Sequence, residues 1–154
     1  MSHWVRLAPS DIEHADRVAE RRNRDNLENA HGLEAGRSQS LALHRLGCYG
    51  EIAFAVLLKV PWRGDVDTFK TRADVGGAEV RTRSKAHYDL IHRRDDDPAK
   101  RYVHVNGADP PWMEVVGWIL GSEARRDCWL ASHGGREAAW FVPRSALRPV
   151  RLVR

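Results

Sequence analysis

Two periodicities divide the chain. In "SDIEHADRVAERRNRDNLENA", apolar residues recur at Ile12, Ala15, Val18 and Ala19, the spacing of one helix face, while most other positions are polar or charged. Pro9 precedes this stretch and Ser10 stands three residues ahead of Glu13, the pattern of a capping box that starts a helix. Glu13 with Arg17 and Glu20 with Arg24 are i,i+4 pairs that support it. The stripe is thin, so this helix is expected to pack on the domain rather than form its centre. A second helical stretch follows "HGLEAGRS". There "GCYGEIAFAVLLKV" has the densest apolar content in the chain, which makes it the expected central helix, with Glu51 in its first turn.

From Phe69 onward the pattern alternates. In "DVGGAEVRTR", Gly76-Gly77 sits between alternating residues, and a two-residue turn that matches strand twist needs positive φ at both central positions. The register that follows pairs Val75 with Ala78, Asp74 with Glu79, Ala73 with Val80, Arg72 with Arg81 and Lys70 with Arg83. One face then carries Phe69, Ala73, Val75, Ala78 and Val80 and suits a core; the other carries two acids and several bases. Further strands are expected in "YDLIHRR" and "YVHVNG", a strand running into a turn or short helix in "PWMEVVGWILGSEARRD", and a last strand with an irregular tail in "AAWFVPRSALRPV". Helices followed by strands indicate an α/β (α+β) fold with a mixed central β-sheet flanked by helices. At 154 residues the chain fits one domain, residues 1–154, with an N-terminal helical segment over 1–45 and the core over 46–154.

The facing acids raise a chemical question. Side chains directly opposite on one face lie roughly 4.5–5.5 Å apart at Cβ, where like charges destabilise the pair. A divalent cation reverses that sign, since Mg²⁺ is typically held by one or two carboxylates with water and substrate phosphate. Charged outer faces are also ordinary on antiparallel sheets, so a solvated hairpin fits the same residues. Glu51 has two readings as well. It favours the positive end of a helix, or it is a buried acid that needs a partner or a metal.

Composition narrows the classes. Cys48 and Cys128 are the only cysteines and form no CxxC pair, which leaves neither a zinc motif nor a disulfide framework. No signal peptide is read at the N-terminus, and "IAFAVLL" is too short to span a bilayer, so an intracellular, cytoplasmic protein with no membrane partner is expected. The net charge is +4, and 21 of the 25 basic residues are arginine, whose planar fork suits phosphate oxygens. "VHVNG" lacks the surroundings of an HNH-type nuclease, and the eight histidines show no close metal-ligand spacing. "RRDDDPAK" reads as a charged turn. Trp62, in a loop beside Pro61, is the tryptophan best placed for base stacking.

Taken in order, "GCYGE", "ADVGG" and "EVR" resemble the PD-(D/E)xK nuclease superfamily, closest to its small phage-type and Holliday-junction-resolvase-like members. The later phrases "YDLIHRRDDD", "YVHV", "EVVGWILG" and "WFVPRSAL" are similar in order to the later strands of such proteins. The resemblance implies a restriction-endonuclease-like αβββαβ core and metal-dependent, endonucleolytic hydrolysis of DNA with Mg²⁺ or Mn²⁺. It implies Asp74 and Glu79 as metal ligands, and Glu51 as a further acid acting directly or through water. The position two after Glu79 usually holds lysine in the family; here it is Arg81, which cannot act as a base. Lys70, on the same face, or Lys85 just beyond it would then supply the lysine. Arg72 and Arg81 would clamp the scissile phosphate, with Arg83 and Lys85 also facing nucleic acid. Cutting two strands in concert favours a homodimer. The alternative is a catalytically degenerate DNA-binding module that kept the nuclease fold.

Overall fold

The computed structural model describes residues 1–29, 37–64, 74–107 and 109–152. The chain begins with a short strand, β1 (His3–Arg6), then two helices, α1 (Pro9–Asn29) and α2 (Arg37–Leu58). Four strands follow: β2 (Ala78–Arg83), β3 (Leu90–His92), β4 (Arg101–Asn106) and β5 (Trp112–Leu120). A helical turn, α3 (Gly121–Ala124), leads to β6 (Leu130–Ala131) and β7 (Ala139–Val142). Two N-terminal helices thus pack on a mixed four-strand sheet of order β1-β5-β4-β2, and a small antiparallel sheet has the order β3-β7-β6. The main sheet is mixed because β2 runs parallel to β4 while β4–β5 and β1–β5 are antiparallel.

Helix α1 starts earlier than Ser10. Pro9 is its first residue, where a missing N–H costs nothing, and Asp11 Oδ2 reaches back to accept the Ala8 N–H at 2.9 Å. The reciprocal half of a capping box is therefore made by Asp11 rather than Glu13. Ala15, Val18 and Ala19 are buried against α2, as the stripe implied. Helix α2 is longer than its apolar run. By length and composition alone its window Leu41–Leu58, of mean hydropathy 1.4, could cross a membrane. Here it packs on α1, β2 and β5 and buries Cys48, Ile52, Ala53 and Ala55. The division at residue 45 falls inside α2, and β1 belongs to the main sheet, so the described residues before that division join the same architecture as those after it.

Each face of the main sheet has its own core. Val80, Val103, Val105, Met113 and Val115 meet the two helices. On the other face Tyr102 and Ile119 meet Leu90 and Val142 of the small sheet. Helix α2 approaches β2 closely at Gly50, where an added Cβ would lie 1.7 Å from Thr82 Oγ1. The second glycine of "GCYGE" is thus a packing requirement of α2 on β2.

Candidate functional site

The Gly-Gly turn forms as expected. Gly76 and Gly77 take φ of 57° and 75°, and Val75 and Ala78 exchange backbone hydrogen bonds of 3.1 and 2.9 Å. Val75, Ala78 and Val80 are buried. The antiparallel ladder stops there among the described residues. Asp74 turns its carboxylate onto the strand instead, and Oδ2 accepts the Val80 N–H at 2.8 Å. Asp74 and Glu79 are therefore not a cross-strand pair. The carboxylate satisfies an edge donor of β2 that a partner strand would otherwise take. Phe69, Ala73, Lys70 and Arg72 lie outside the described residues.

The parallel register places Glu79, Arg81 and Arg83 opposite Tyr102, His104 and Asn106, on the sheet face away from the helices. That face is not open solvent, because the crossover from β2 to β4 folds over it and supplies opposite charges. Lys100 Nζ lies 2.7 Å from Glu79 Oε1, and this hydrogen bond holds the lysine above its ordinary pKa. Arg81 Nη2 donates to Asp96 Oδ1 at 2.7 Å, and its guanidinium sits 5.3 Å from the Tyr102 ring centroid. Asp96 Oδ2 in turn accepts the Arg93 N–H, so "RRDDDPAK" is a turn whose carboxylate orients Arg81. Arg83 stacks over Tyr88 at 4.7 Å and the exposed Lys85 approaches the same ring at 5.6 Å.

Glu51 is buried in the C-terminal half of α2, far from its first turn, which removes the helix-end reading. Both its oxygens are engaged. Arg22 of α1 makes a two-pronged contact, Nη1 to Oε1 at 2.8 Å and Nη2 to Oε2 at 3.0 Å, and the Trp62 indole N–H donates to Oε2 at 3.1 Å. Burial opposes the Arg22 charge, but the Glu51 contacts outweigh it and hold the guanidinium above its ordinary pKa. Trp62 is thereby tied into the core edge, with His14 packed edge-on at 4.9 Å, rather than presented as a stacking platform. Beside them the pKa of the buried Cys48 thiol is pushed up to about 12, chiefly by burial.

Asp74 links these groups. Although it is exposed as a residue, its carboxyl is tucked against β2, and burial there, then the charges of Glu51 and Glu79, push its pKa up to about 7 against the Val80 hydrogen bond and Arg81. The charges of Glu51 on a helix and Glu79 on a strand thus both act on Asp74 beside the turn. Among the described residues no set of three or more His, Cys, Asp or Glu side chains is arranged to hold a metal ion directly.

Three partners escaped the sequence reading: Lys100, Asp96 and Arg22. Arg22 left a signal, since it continues the buried stripe of Ala15, Val18 and Ala19 at helical spacing. Lys100 is one of only four lysines, so it could have been enumerated. Its proximity to Glu79 depends on the parallel β2–β4 pairing, which no local pattern encodes. His104 and Asn106 are buried and bonded to each other at 2.8 Å, and burial lowers the histidine pKa, as befits interior packing. Comparison with protein-family models, with curated proteins and with solved structures finds no match to this chain.

Proposed function

We propose that the protein is a metal-dependent nuclease that hydrolyses phosphodiester bonds in DNA, with Asp74 and Glu79 holding Mg²⁺ or Mn²⁺ at the start of β2. The observation that carries this reading is the gathering of Asp74, Glu79 and Glu51, with Asp74 under the charge of both others. Like charges so placed favour a cation between them. The donor set fits, because among the described residues Asp74 Oδ1 and Glu79 Oε2 have no hydrogen-bond partner. A cation held there acidifies water as the nucleophile and neutralises charge on the phosphoryl oxygens.

The chain's own groups have distinct parts in this reading. Glu51, committed to Arg22 and Trp62, contributes charge and a fixed position rather than a ligand oxygen. Lys100 joins Lys70 and Lys85 as a candidate for the working lysine: it neutralises Glu79 without substrate and, in this reading, donates to a phosphate oxygen beside that carboxylate. Arg81, always charged and fixed by Asp96 and Tyr102, stabilises negative charge and takes no proton. The restriction-endonuclease-like fold belongs to the same reading, supported by an acid-bearing buried helix, a tight turn between two acids and a mixed sheet.

A second reading, a DNA-binding module without activity, is favoured by one fact: Glu79 and Arg81 already have opposite charges as partners. Incubation with linear duplex, single-stranded and branched DNA in Mg²⁺, Mn²⁺, Ca²⁺ or EDTA separates them. Turnover in Mg²⁺ or Mn²⁺ that EDTA and Asp74→Asn abolish supports the nuclease. DNA binding with no cleavage in any metal supports the module.

A further inference from the structure

On the sheet face that carries Glu79 and Arg81, a separate cleft of about 380 Å³ opens between the end of β2 and the small sheet. Its size falls within the range of roughly 300–1,000 Å³ that small-ligand sites occupy. The geometry points to a binding site for a nucleotide, with the base against aromatic rings and the phosphate among arginines.

Three arginines line the cleft, Arg83 from β2, Arg93 from the crossover and Arg136 from the β6–β7 turn, against two acids, Asp89 and Glu137. Arg83 is the most telling. Its guanidinium lies over Tyr88, with Nη1 closed off inside the protein, and among the described residues Nε and Nη2 make no hydrogen bond. A guanidinium edge that no protein acceptor satisfies suits a ligand, and a phosphate oxygen is the acceptor that its geometry fits best. Burial lowers the Arg83 pKa, with the neighbouring Tyr88 and Asp89 opposing it and Arg93 adding to it. Tyr88 and Phe141 provide apolar ring surface in the same cleft, and Phe141 is braced edge-on by His133 at 4.7 Å. Rings beside guanidinium groups are the elements by which proteins hold an unpaired base and its phosphate.

The ligand chemistry is shared by a free mononucleotide and by an unpaired nucleotide of a nucleic acid. The pocket itself does not depend on metal or cleavage. Its relation to the nuclease reading is spatial: Arg83 follows Glu79 by four residues on one face of β2, about 13 Å along the strand. A single strand in the cleft would run toward the carboxylates.

Calorimetric titration in EDTA tests the assignment with dTMP, dGMP, thymidine, inorganic phosphate, a short oligo(dT) and a matched duplex. A mononucleotide should bind at one site, at least tenfold tighter than phosphate or thymidine alone, and the exposed Arg136→Gln should weaken it about tenfold. Arg21→Gln, on the outer surface of α1, should change nothing. Tyr88→Ala should weaken dTMP more than it weakens phosphate. Tighter binding of oligo(dT) than dTMP would identify the source as nucleic acid; equal binding would identify a free nucleotide. Binding of phosphate as tightly as dTMP, binding of duplex alone, or no saturable binding would overturn the assignment. Because no metal is present, none of these outcomes depends on the carboxylate site.

Discussion

Lys100, the last residue of the crossover before β4, lies 2.7 Å from Glu79 of β2, a lysine and an acid that the sequence separates by the whole crossover. The pairing accounts for the Glu79 charge without a metal, so its removal is informative. Lys100→Met should raise Mn²⁺ affinity by up to about fivefold, since exposed ion pairs contribute about 0.2–1 kcal/mol. The same change should lower kcat by roughly 10²-fold if Lys100 assists the phosphate. Metal titration and single-turnover cleavage check both; tighter metal binding with unchanged cleavage would make Lys100 only a counter-ion.

The raised pKa of Asp74 sets a pH dependence of stability. Between the usual carboxyl value of 3.8 and about 7, the folded protein keeps a proton that the unfolded chain has lost. Stability must therefore fall as pH rises through that window. Asp74→Asn keeps an acceptor for the Val80 N–H and removes the charge. Its Tm should exceed wild type at pH 8, and the difference should shrink toward zero near pH 4. A Tm difference constant over that range would show that Asp74 titrates normally.

Glu51 and Arg22 form a pair whose breaking differs from its replacement. Removing one partner of a fully buried pair costs roughly 3–5 kcal/mol. The cost here should be smaller, because 19% of the Arg22 side chain is exposed. Arg22→Leu alone should nevertheless destabilise more than Arg22→Leu with Glu51→Leu, as chemical denaturation would show. If the double change is the worse one, Glu51 is not held chiefly by Arg22.

Gly50 should not tolerate a side chain. Gly50→Ala drives a methyl into Thr82 and should cost about 1–3 kcal/mol. Adding Thr82→Ala should recover part of this, but not all, because Thr82 Cβ would remain 2.9 Å away. Thermal melts of the single and double variants check it.

Local pattern made much of this structure legible. The Gly-Gly turn, the buried side of β2, the thin stripe of α1 and strands β3, β4, β5 and β7 follow from periodicity and backbone chemistry, whereas the two-residue β6 was not read. Strand β1 was missed because four residues with an exposed Trp4 carry no clear alternation, and its pairing with β5 is remote. The opposition of Asp74 and Glu79 followed from assuming an ideal ladder. A carboxylate next to a turn can take the strand's N–H itself, and Asp74 does so. The charged face was legible as a face, yet its partners Lys100 and Asp96 arrive by a parallel crossover that periodicity does not specify. Glu51 was legible as an anomaly, while its neutralisation by Arg22 depended on how two helices meet.

Calorimetric Mn²⁺ titration at pH 8 asks whether the carboxylates at the start of β2 hold a divalent cation. One saturable site is expected in the wild type, lost in both Asp74→Asn and Glu79→Gln, with Asp74→Asn at least as stable as wild type without metal. A wild type with no saturable site, or a site that persists in both variants, refutes that reading.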